Sequence, residues 1–261
     1  METTGVLKIT IITVCKNSEK FLNETIASVI NQSYQNIQYI IIDGNSTDKT
    51  VDIIKQHSSN VDIWFSEGDN GMYDAINKGL KLATGHYILI LNSDDVLASN
   101  ETIKEVVGRI DKEKLDYYYG NMLKSKVGKI KNVKLFNVTY KELLLSTHCT
   151  FAPHPCFFIS KKLNEVLGGY DLNYKFASDY DYILRALSTP GVKGRHINIP
   201  VTRFRLHNES ITASGKIDEE RKKILTKYGY FQQPHFRRLF FYYTLWIYYK
   251  ILNLRQRYVA G

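Results

Sequence analysis

The chain has 261 residues, of which 44% are hydrophobic and 23% are charged, a composition typical of soluble globular proteins and long enough for one large domain or two small ones. Its formal net charge of +9 indicates an anionic partner, for which nucleic acid, a phospholipid surface and a nucleotide ligand all qualify. The three cysteines are an odd number and do not form a framework of disulfide pairs. No signal peptide is recognisable, and no segment reaches the ~20 apolar residues that span a bilayer. We therefore expect a protein of the reducing cytosol.

The first hundred residues alternate between apolar runs typical of buried strands and segments with one apolar helical face. Strands are predicted over residues 9–14, 37–42, 61–65 and 87–91. Helices are predicted from Ser18, after the cap residues Ser46 to Asp48, and from Met72. Strands that alternate with helices in this way favour a parallel sheet with right-handed crossovers.

The strongest functional signal is at the end of the fourth predicted strand, where the apolar run stops at Asn92, Ser93, Asp94 and Asp95. In open α/β sheets ligands bind just outside the carboxyl ends of the strands, and carboxylate oxygens are ligands for hard divalent cations. This segment is therefore a candidate site for a metal ion and a phosphate-bearing ligand. The alternative is a turn before a helix near Asn100, because Asn, Ser and Asp all favour turns.

Two nucleotide-binding motifs are excluded by the first strand-to-helix turn, residues 14–18, which contains no glycine. The turn is neither a dinucleotide-binding G-x-G-x-x-G nor a P-loop. Hydride transfer and P-loop phosphoryl transfer are therefore not leading functions.

Polar side chains also follow the second and third strands. Asp43 ends the second strand, where a carboxylate can accept hydrogen bonds from a ribose or a base, or can close an Asx turn. Asp74, Asn77 and Lys78 share one turn of the next predicted helix, where charges usually form a solvated face.

Four side chains of metal-ligating types fall within nine positions, at His148, Cys149, His154 and Cys156. Their spacing lacks the paired C-x-x-C arms of a zinc finger or ribbon, which disfavours a structural zinc site. A strand is predicted over residues 156–159. For His154, in the loop before this strand, a hydrogen-bonded structural histidine is the alternative to a functional role.

The later part of the chain is basic and aromatic. A hairpin is predicted around Gly128, and helices are predicted from Lys216 onward. Between Arg237 and Lys250, eleven uncharged residues rich in Tyr and Trp are flanked by basic side chains. This segment is too short to span a bilayer but suits a helix lying in the membrane interface; the alternative is a terminal helix packed on the core or on a second subunit.

Several motifs in this order resemble the family-2 glycosyltransferases with a GT-A fold. They are TVCKN, IIDGNSTDKT, EGDNGMYDAINKGLKLATG, LNSDD, HPCFFISKKLNEVLGGYDLNYKFASDYDYILRA and FRLHNESIT, within about residues 7–213. The ordered combination is more specific than any single motif. The resemblance implies a nucleotide-sugar donor, a divalent metal (Mn²⁺ or Mg²⁺) and transfer with inversion, and it extends to the subgroup that builds bacterial surface polysaccharides.

The resemblance also implies roles for individual residues. Asp179 matches the catalytic base, although Ser178 stands where the family often has Glu, and its alternative is a helix N-cap. Asp94 matches the last acid of the D-x-D metal motif, whose first acid is here Asn92, a weaker cation ligand that leaves metal dependence open. Donor contacts are assigned to Thr13, Asn17, Asp43, Asp74, Asn77, Lys78, Asn92, Ser93 and Asp94, acceptor-side contacts to His154, Asp181 and Arg185, and metal contacts to Asp94, Asp95 and His207. The alternative for His207 is a surface histidine.

We therefore predict an α/β protein of GT-A type, with a mostly parallel nucleotide-binding sheet flanked by helices, a C-terminal acceptor-side region and a helical tail. Residues 1–213 are expected to form the glycosyltransferase domain, with a nucleotide-sugar half over 1–98 and an acceptor half over 99–213. Residues 214–261 are expected to form the basic and aromatic tail.

The predicted activity is inverting, metal-dependent transfer of a hexose-type unit, from a UDP-sugar, to a saccharide or lipid-linked saccharide. We expect a cytoplasmic enzyme held on the inner face of the cell membrane by its tail, and its sequence is compatible with a homo-oligomer. Asn92 favours the alternative of a catalytically silent nucleotide-sugar-binding subunit, whereas Asp94, Asp95 and Asp179 favour the enzyme. Because no nucleic-acid-binding module is recognisable, we expect no nucleic-acid partner.

Overall fold

The computed structural model describes residues 6–126, 129–146, 152–206 and 217–254. Its strands are β1 (Ile9–Cys15), β2 (Ile37–Asp43), β3 (Ile63–Ser66), β4 (Tyr87–Ile90), β5 (Val96–Leu97), β6 (Tyr117–Lys126), β7 (Lys129–Val133), β8 (Phe157–Ser160) and β9 (Gly194–Arg205). Its helices are α1 (Leu22–Ile30), α2 (Thr50–Gln56), α3 (Met72–Leu82), α4 (Thr102–Glu113), α5 (Tyr140–Ser146), α6 (Lys161–Leu167), α7 (Ser178–Ser188), α8 (Ile217–Lys227) and α9 (His235–Leu254).

The first four strands are parallel and lie in the order β3-β2-β1-β4. Every residue of β1 and β4 is buried, as expected for strands covered on both faces. The chain leaves β1 towards β2 and β3 on one side and returns to β4 on the other. Such a reversal of direction opens a crevice at the carboxyl ends of β1 and β4, which is where ligands bind in sheets of this kind.

Beyond β4 the sheet is mixed. β8 pairs antiparallel with β4 and β6, β9 is parallel to β6, and β5 pairs antiparallel with β9. The predicted hairpin agrees with the pairing of β6 and β7, which brings Lys126 opposite Lys129. The parallel order predicted from the first hundred residues therefore covers four of the nine strands that the structure describes, and the acceptor-side part of the sheet adds antiparallel pairs.

Two apolar clusters cover the two faces of the sheet. Neighbouring residues of β1 point to opposite faces, so Ile12 joins the cluster that includes residues of α3 and α7, and Ile11 joins the cluster that includes residues of α1 and α4. Each fully buried large apolar side chain contributes about 1.5–3 kcal/mol to folding.

Two described helices, α8 and α9, lie within the predicted tail of residues 214–261. Ile224 and Leu225 of α8 are buried in the same cluster as Ile183 of α7, so α8 belongs to the core. The predicted boundary after residue 213 lies outside the described residues. α9 packs against α5, and its Tyr248 ring meets the ring of Phe136, in the segment before α5, edge to face at 4.7 Å. Within the described ranges, no helix combines the length and apolar character needed to cross a membrane.

Candidate active site

Hydrogen bonds join the turns that follow β1, β2 and β4 into one surface. The Asn17 N–H donates to Ser46 Oγ at 2.8 Å, and Asn17 Oδ1 accepts from the Thr47 N–H at 2.9 Å. Asn17 has a φ of 49°, a left-handed conformation that Asn tolerates better than most residues. The hydroxyls of Ser18 and Ser93 are 2.9 Å apart. The polar residues predicted at the strand ends are thus brought together at the crevice.

Asp43 is buried beneath this surface. Its Oδ2 accepts from the Ser46 N–H at 2.9 Å and the Ser66 hydroxyl at 2.6 Å, and its Oδ1 accepts from the Ser46 hydroxyl and the Cys15 thiol. A carboxylate has about four lone-pair sites, and these four contacts match that number. Burial and the neighbouring Asp43 raise the pKa of Cys15, which keeps it a donating thiol. The Ser46 N–H lies three residues after Asp43, one residue further than in an Asx turn, and the donor contact of Asp43 stays a prediction.

The two carboxylates after β4 have different surroundings. Asp95 is fully buried, and its oxygens accept from the Arg205 N–H and from the Asn92 amide, each at 3.0 Å. Burial, together with the charge of Asp94, raises the pKa of Asp95 well above its usual range. Asp95 therefore links the turn to β9. Asp94 is only partly buried and is the carboxylate of the pair that solvent reaches.

The donor set at this turn fits a hard cation that shares its coordination with a ligand. Mg²⁺ and similar ions in nucleotide sites are bound through one or two carboxylates and complete their coordination with phosphate oxygens and water. Asp94 supplies one accessible carboxylate. Across the described part of the chain, no cluster of three or more His, Cys, Asp or Glu could hold a metal unaided. His207, also predicted as a metal ligand, lies outside that part.

Asp179 lies in the first turn of α7 and is partly buried. Its carboxylate accepts a 3.1 Å hydrogen bond from the Tyr73 hydroxyl of α3. The N-cap of α7 is Ala177, and the hydroxyl of Ser178 donates to the Asp171 carbonyl. Neither Ser178 nor Asp179 is therefore the helix cap. Burial, with a further effect from the charge of Asp179, raises the pKa of Tyr73 well above its ordinary value, so its hydroxyl stays a donor that orients the carboxylate.

His154 lies within electrostatic reach of Asp179. Its ring is buried and meets Tyr170 edge to face at 5.6 Å, and its Nε2 has no hydrogen-bond partner among the residues described. Burial lowers the pKa of His154, against the opposing effect of the Asp179 charge, so the imidazole is neutral at neutral pH. His148 and Cys149, the other members of the disfavoured zinc cluster beside Cys156, lie outside the described residues.

Three stacked tyrosines form a wall beside these two groups. Tyr170 stacks on Tyr73 at 5.5 Å and on Tyr182 at 4.3 Å. Asn77 holds this wall in place, because its amide donates to the Tyr170 carbonyl at 2.9 Å and accepts from the Tyr170 N–H at 2.8 Å. Tyr73 and Tyr170 were not among the predicted site residues, although both lie within motifs that carry the family resemblance, Tyr73 in EGDNGMYDAINKG and Tyr170 in LGGYDLNYK.

The remaining predicted donor contacts have partners within the protein. Thr13 is buried, with its hydroxyl 3.2 Å from that of Tyr39. Asp74 accepts from the Asn70 N–H at 3.0 Å. Lys78 pairs with Glu67 at 2.8 Å, which raises the pKa of the ammonium. The structure thus places Asp74 and Lys78 on α3, where they bind residues of the turn after β3, and Thr13 in the interior.

Asp181 and Arg185, predicted on the acceptor side, bind each other within the fold. Asp181 is fully buried and accepts from Arg185 Nε at 2.7 Å. The other guanidinium nitrogens donate to the carbonyls of Leu167 and Gly169 at 2.7 and 2.6 Å. These contacts connect α7 to the turn after α6. We therefore assign neither residue to binding the acceptor.

The sequence model of Glycosyl transferase family 2 matches residues 10–168. The chain belongs to glycosyl transferase family 2. This family-2 glycosyltransferase is 29% identical over 181 residues to a PGL/p-HBAD biosynthesis glycosyltransferase of Mycobacterium bovis, covering 68% of each protein. It is 42% identical over 101 residues to an uncharacterized glycosyltransferase of Haemophilus influenzae, covering 38% of this chain and 40% of the other.

Solved structures show the same fold. The S. aureus protein TarS 1-349, in complex with UDP-GlcNAc, aligns with a TM-score of 0.70 at 18% identity and covers 84% of this chain. The mannosyltransferase PcManGT from Pyrobaculum calidifontis, in complex with GDP-Man and Mn²⁺, aligns with a TM-score of 0.55 at 18% identity and covers 76% of it. The family-2 glycosyltransferase spans 64% and 56% of those two chains. The predicted family, GT-A fold and enzyme class are confirmed.

Proposed function

We propose that the enzyme transfers a hexose-type unit from a UDP-sugar with inversion, and that Asp179 is its general base. The observation that carries the proposal is the Asp179 carboxylate, partly buried and oriented by the Tyr73 hydroxyl at 3.1 Å. An acceptor hydroxyl is a weak nucleophile, and a positioned base typically accelerates its attack 10²–10⁴-fold. Asp179 takes the hydroxyl proton while the oxygen bonds to the anomeric carbon and the bond from that carbon to the nucleoside diphosphate breaks.

The donor is proposed to lie in the crevice at the ends of β1 and β4, with its diphosphate near Asp94. Asp94 would hold Mn²⁺ or Mg²⁺ there, and the bound cation would offset the charge of the departing diphosphate. The UDP-GlcNAc complex of TarS and the GDP-Man and Mn²⁺ complex of PcManGT support this class of donor and ion. Asn92 uses its amide nitrogen to hold Asp95, so we assign it to shaping the turn.

The acceptor is proposed to be a saccharide or lipid-linked saccharide of cell-surface polysaccharide synthesis, reached at the inner face of the cell membrane. The position of α9 supports this proposal. α9 packs against α5, and α5 packs against α7, which carries Asp179. A lipid surface under α9 would therefore lie next to the acceptor side. The silent-subunit alternative rests on Asn92 alone.

The deciding experiment replaces Asp179 by Asn, which keeps the size of the side chain and removes its basicity. Release of nucleotide from a panel of UDP-sugars and GDP-Man, with Mn²⁺ present, first identifies the donor. The Asp179→Asn enzyme should then release nucleotide about 10²–10⁴-fold more slowly, with UDP binding and thermal stability near wild type. Asp218→Asn, at an exposed aspartate paired with Arg221, is the control and should be fully active. A wild-type rate for Asp179→Asn would refute the assignment.

A further inference from the structure

The segment before α7 is folded around a carboxylate that comes from α8. Glu220 Oε1 accepts from the Lys175 N–H at 2.8 Å, and its Oε2 accepts from the N–H groups of Phe176 at 2.7 Å and Ala177 at 3.0 Å. Ala177 is the N-cap residue of α7. Three consecutive backbone donors thus converge on one side chain, two positions before Asp179.

Glu220 binds one N–H group at the start of α7, that of the N-cap residue Ala177, and two N–H groups in the segment before it. The first N–H groups of a helix have no partner within it, and the side chain of the N-cap residue Ala177 makes no capping hydrogen bond. Successive N–H groups at such a turn form an anion-binding concavity, and hydrogen bonds to an ionised acceptor are stronger than neutral ones. Glu220 therefore fixes the path of the backbone that leads into the first turn.

The other end of α8 contacts the same turn of α7. Lys227 Nζ and the Tyr228 hydroxyl lie 2.9 and 3.0 Å from Asp181 Oδ1, and Asp181 is two positions after Asp179. Ile224, which lies between Glu220 and Lys227 along α8, is fully buried in the core. α8 thus binds the first turn of α7 on both sides of Asp179.

We propose that Glu220 is a positioning residue that sets the placement of the Asp179 carboxylate. The inference rests on the proposed function of Asp179, and both Asp179 and Glu220 lie beyond the family-matched range of 10–168. Transfer requires the base within hydrogen-bond reach of the acceptor hydroxyl, and a misplacement of about 1 Å can cost about 100-fold in rate. Loss of the Glu220 contacts should therefore lower turnover without affecting the donor crevice.

The test is a double-substitution cycle on the full chain. Nucleotide release from the donor identified by the panel is measured for Glu220→Gln, Asp179→Asn and the double variant, with Glu219→Gln as a control at an exposed neighbour on α8. We expect Glu220→Gln to lower kcat by about 10- to 100-fold, with the KM for the donor and the Kd for UDP unchanged and Glu219→Gln equal to wild type. In the Asp179→Asn background, Glu220→Gln should cause no further loss, because it acts through Asp179.

Each contrary result has a distinct meaning. An unchanged kcat in folded Glu220→Gln, beside a slow Asp179→Asn, overturns this inference alone. An equal loss in both backgrounds overturns it as well, since Glu220 would then act independently of the base. If Glu220→Gln does not fold, Glu220→Asp keeps the charge and takes its place; failure of both to fold makes Glu220 a folding residue and overturns the inference. A wild-type rate in Asp179→Asn overturns the proposed function together with it.

Discussion

At the scale of single residues, removal of the Asp94 carboxylate and removal of the Asp95 carboxylate are expected to have different effects, the first on activity and the second on stability. Asp94→Ala should abolish metal-dependent nucleotide release with the fold intact, because its carboxylate is the more exposed of the two. Asp95→Ala should instead lower the free energy of unfolding by about 1–3 kcal/mol for each donor left unsatisfied, these being the Arg205 N–H and the Asn92 amide. Activity across a Mn²⁺ titration and urea unfolding of both variants check this. Full activity of Asp94→Ala, or of wild type in chelator, would contradict it.

Residue types at strand ends could be predicted, but their partners could not. The sequence identifies Asn77 by its helical spacing, yet both polar atoms of its amide bind Tyr170, which is 93 residues away. It identifies Asp179 as a helix cap or a base, yet the side chain that binds the N–H of the N-cap residue Ala177 is Glu220, more than 40 positions after Asp179. No local pattern encodes such contacts, because they arise only when α3, α7 and α8 pack together.

At the scale of elements, predictability follows the apolar pattern. β1 to β4 were predicted within two residues because each is a short apolar run between turn signals. β9 was not predicted, since Arg195, Asn198 and Arg203 interrupt its apolar residues, and Pro200, which has no N–H to donate, lies at an irregularity in its pairing with β6. The contact between β9 and Asp95, made by the Arg205 N–H, was therefore not predicted either.

The contribution of the β6–β9 pairing to folding stability is expected to depend on pH. His196 packs on Tyr119 and shares a 2.9 Å hydrogen bond with Asn121, and burial lowers the pKa of His196 to about 4. The unfolded chain takes up the proton near pH 6.5 whereas the folded protein does not, so this contribution to stability is complete above about pH 6.5 and is lost as the pH falls towards 4. Partial solvent access limits it to on the order of 1–2 kcal/mol.

Urea unfolding at a series of pH values between 7 and 4 checks this sign. His196→Gln should unfold with a shallower pH dependence than wild type across that window, whatever its absolute stability. His57→Gln, at a histidine that bonds the exposed side chain of Asn23, is the matched control and should keep the wild-type slope. If the free energy of unfolding falls equally steeply with pH in wild type and in His196→Gln, another group is responsible for the loss of stability at low pH.

At the scale of the whole molecule, α9 is the element whose apolar side chains the core does not bury. The exposed ones are Phe236, Leu239, Phe240, Tyr242, Tyr243, Trp246, Ile247, Tyr248 and Ile251, between 42% and 69% exposed. A contiguous apolar surface of this kind marks an interaction site. Exposed Arg237 and Lys250 stand near its two ends, and aromatic side chains with basic flanks favour the interface of an anionic membrane. We therefore propose a lipid surface as its partner.

The enzyme should bind vesicles that contain anionic lipid, and binding should weaken as salt is raised. Each Lys or Arg near such a surface contributes about 1 kcal/mol, so the double variant Arg237→Gln, Lys250→Gln should bind about 30-fold more weakly in co-sedimentation. Lys104→Gln, Lys112→Gln on α4 makes the same change in net charge on the opposite face of the sheet and should bind as wild type does. Equal weakening in both would mean attraction through net charge alone. Unchanged binding in the α9 variant, with dimers in sedimentation equilibrium, would make the aromatic face a contact between two copies of the chain.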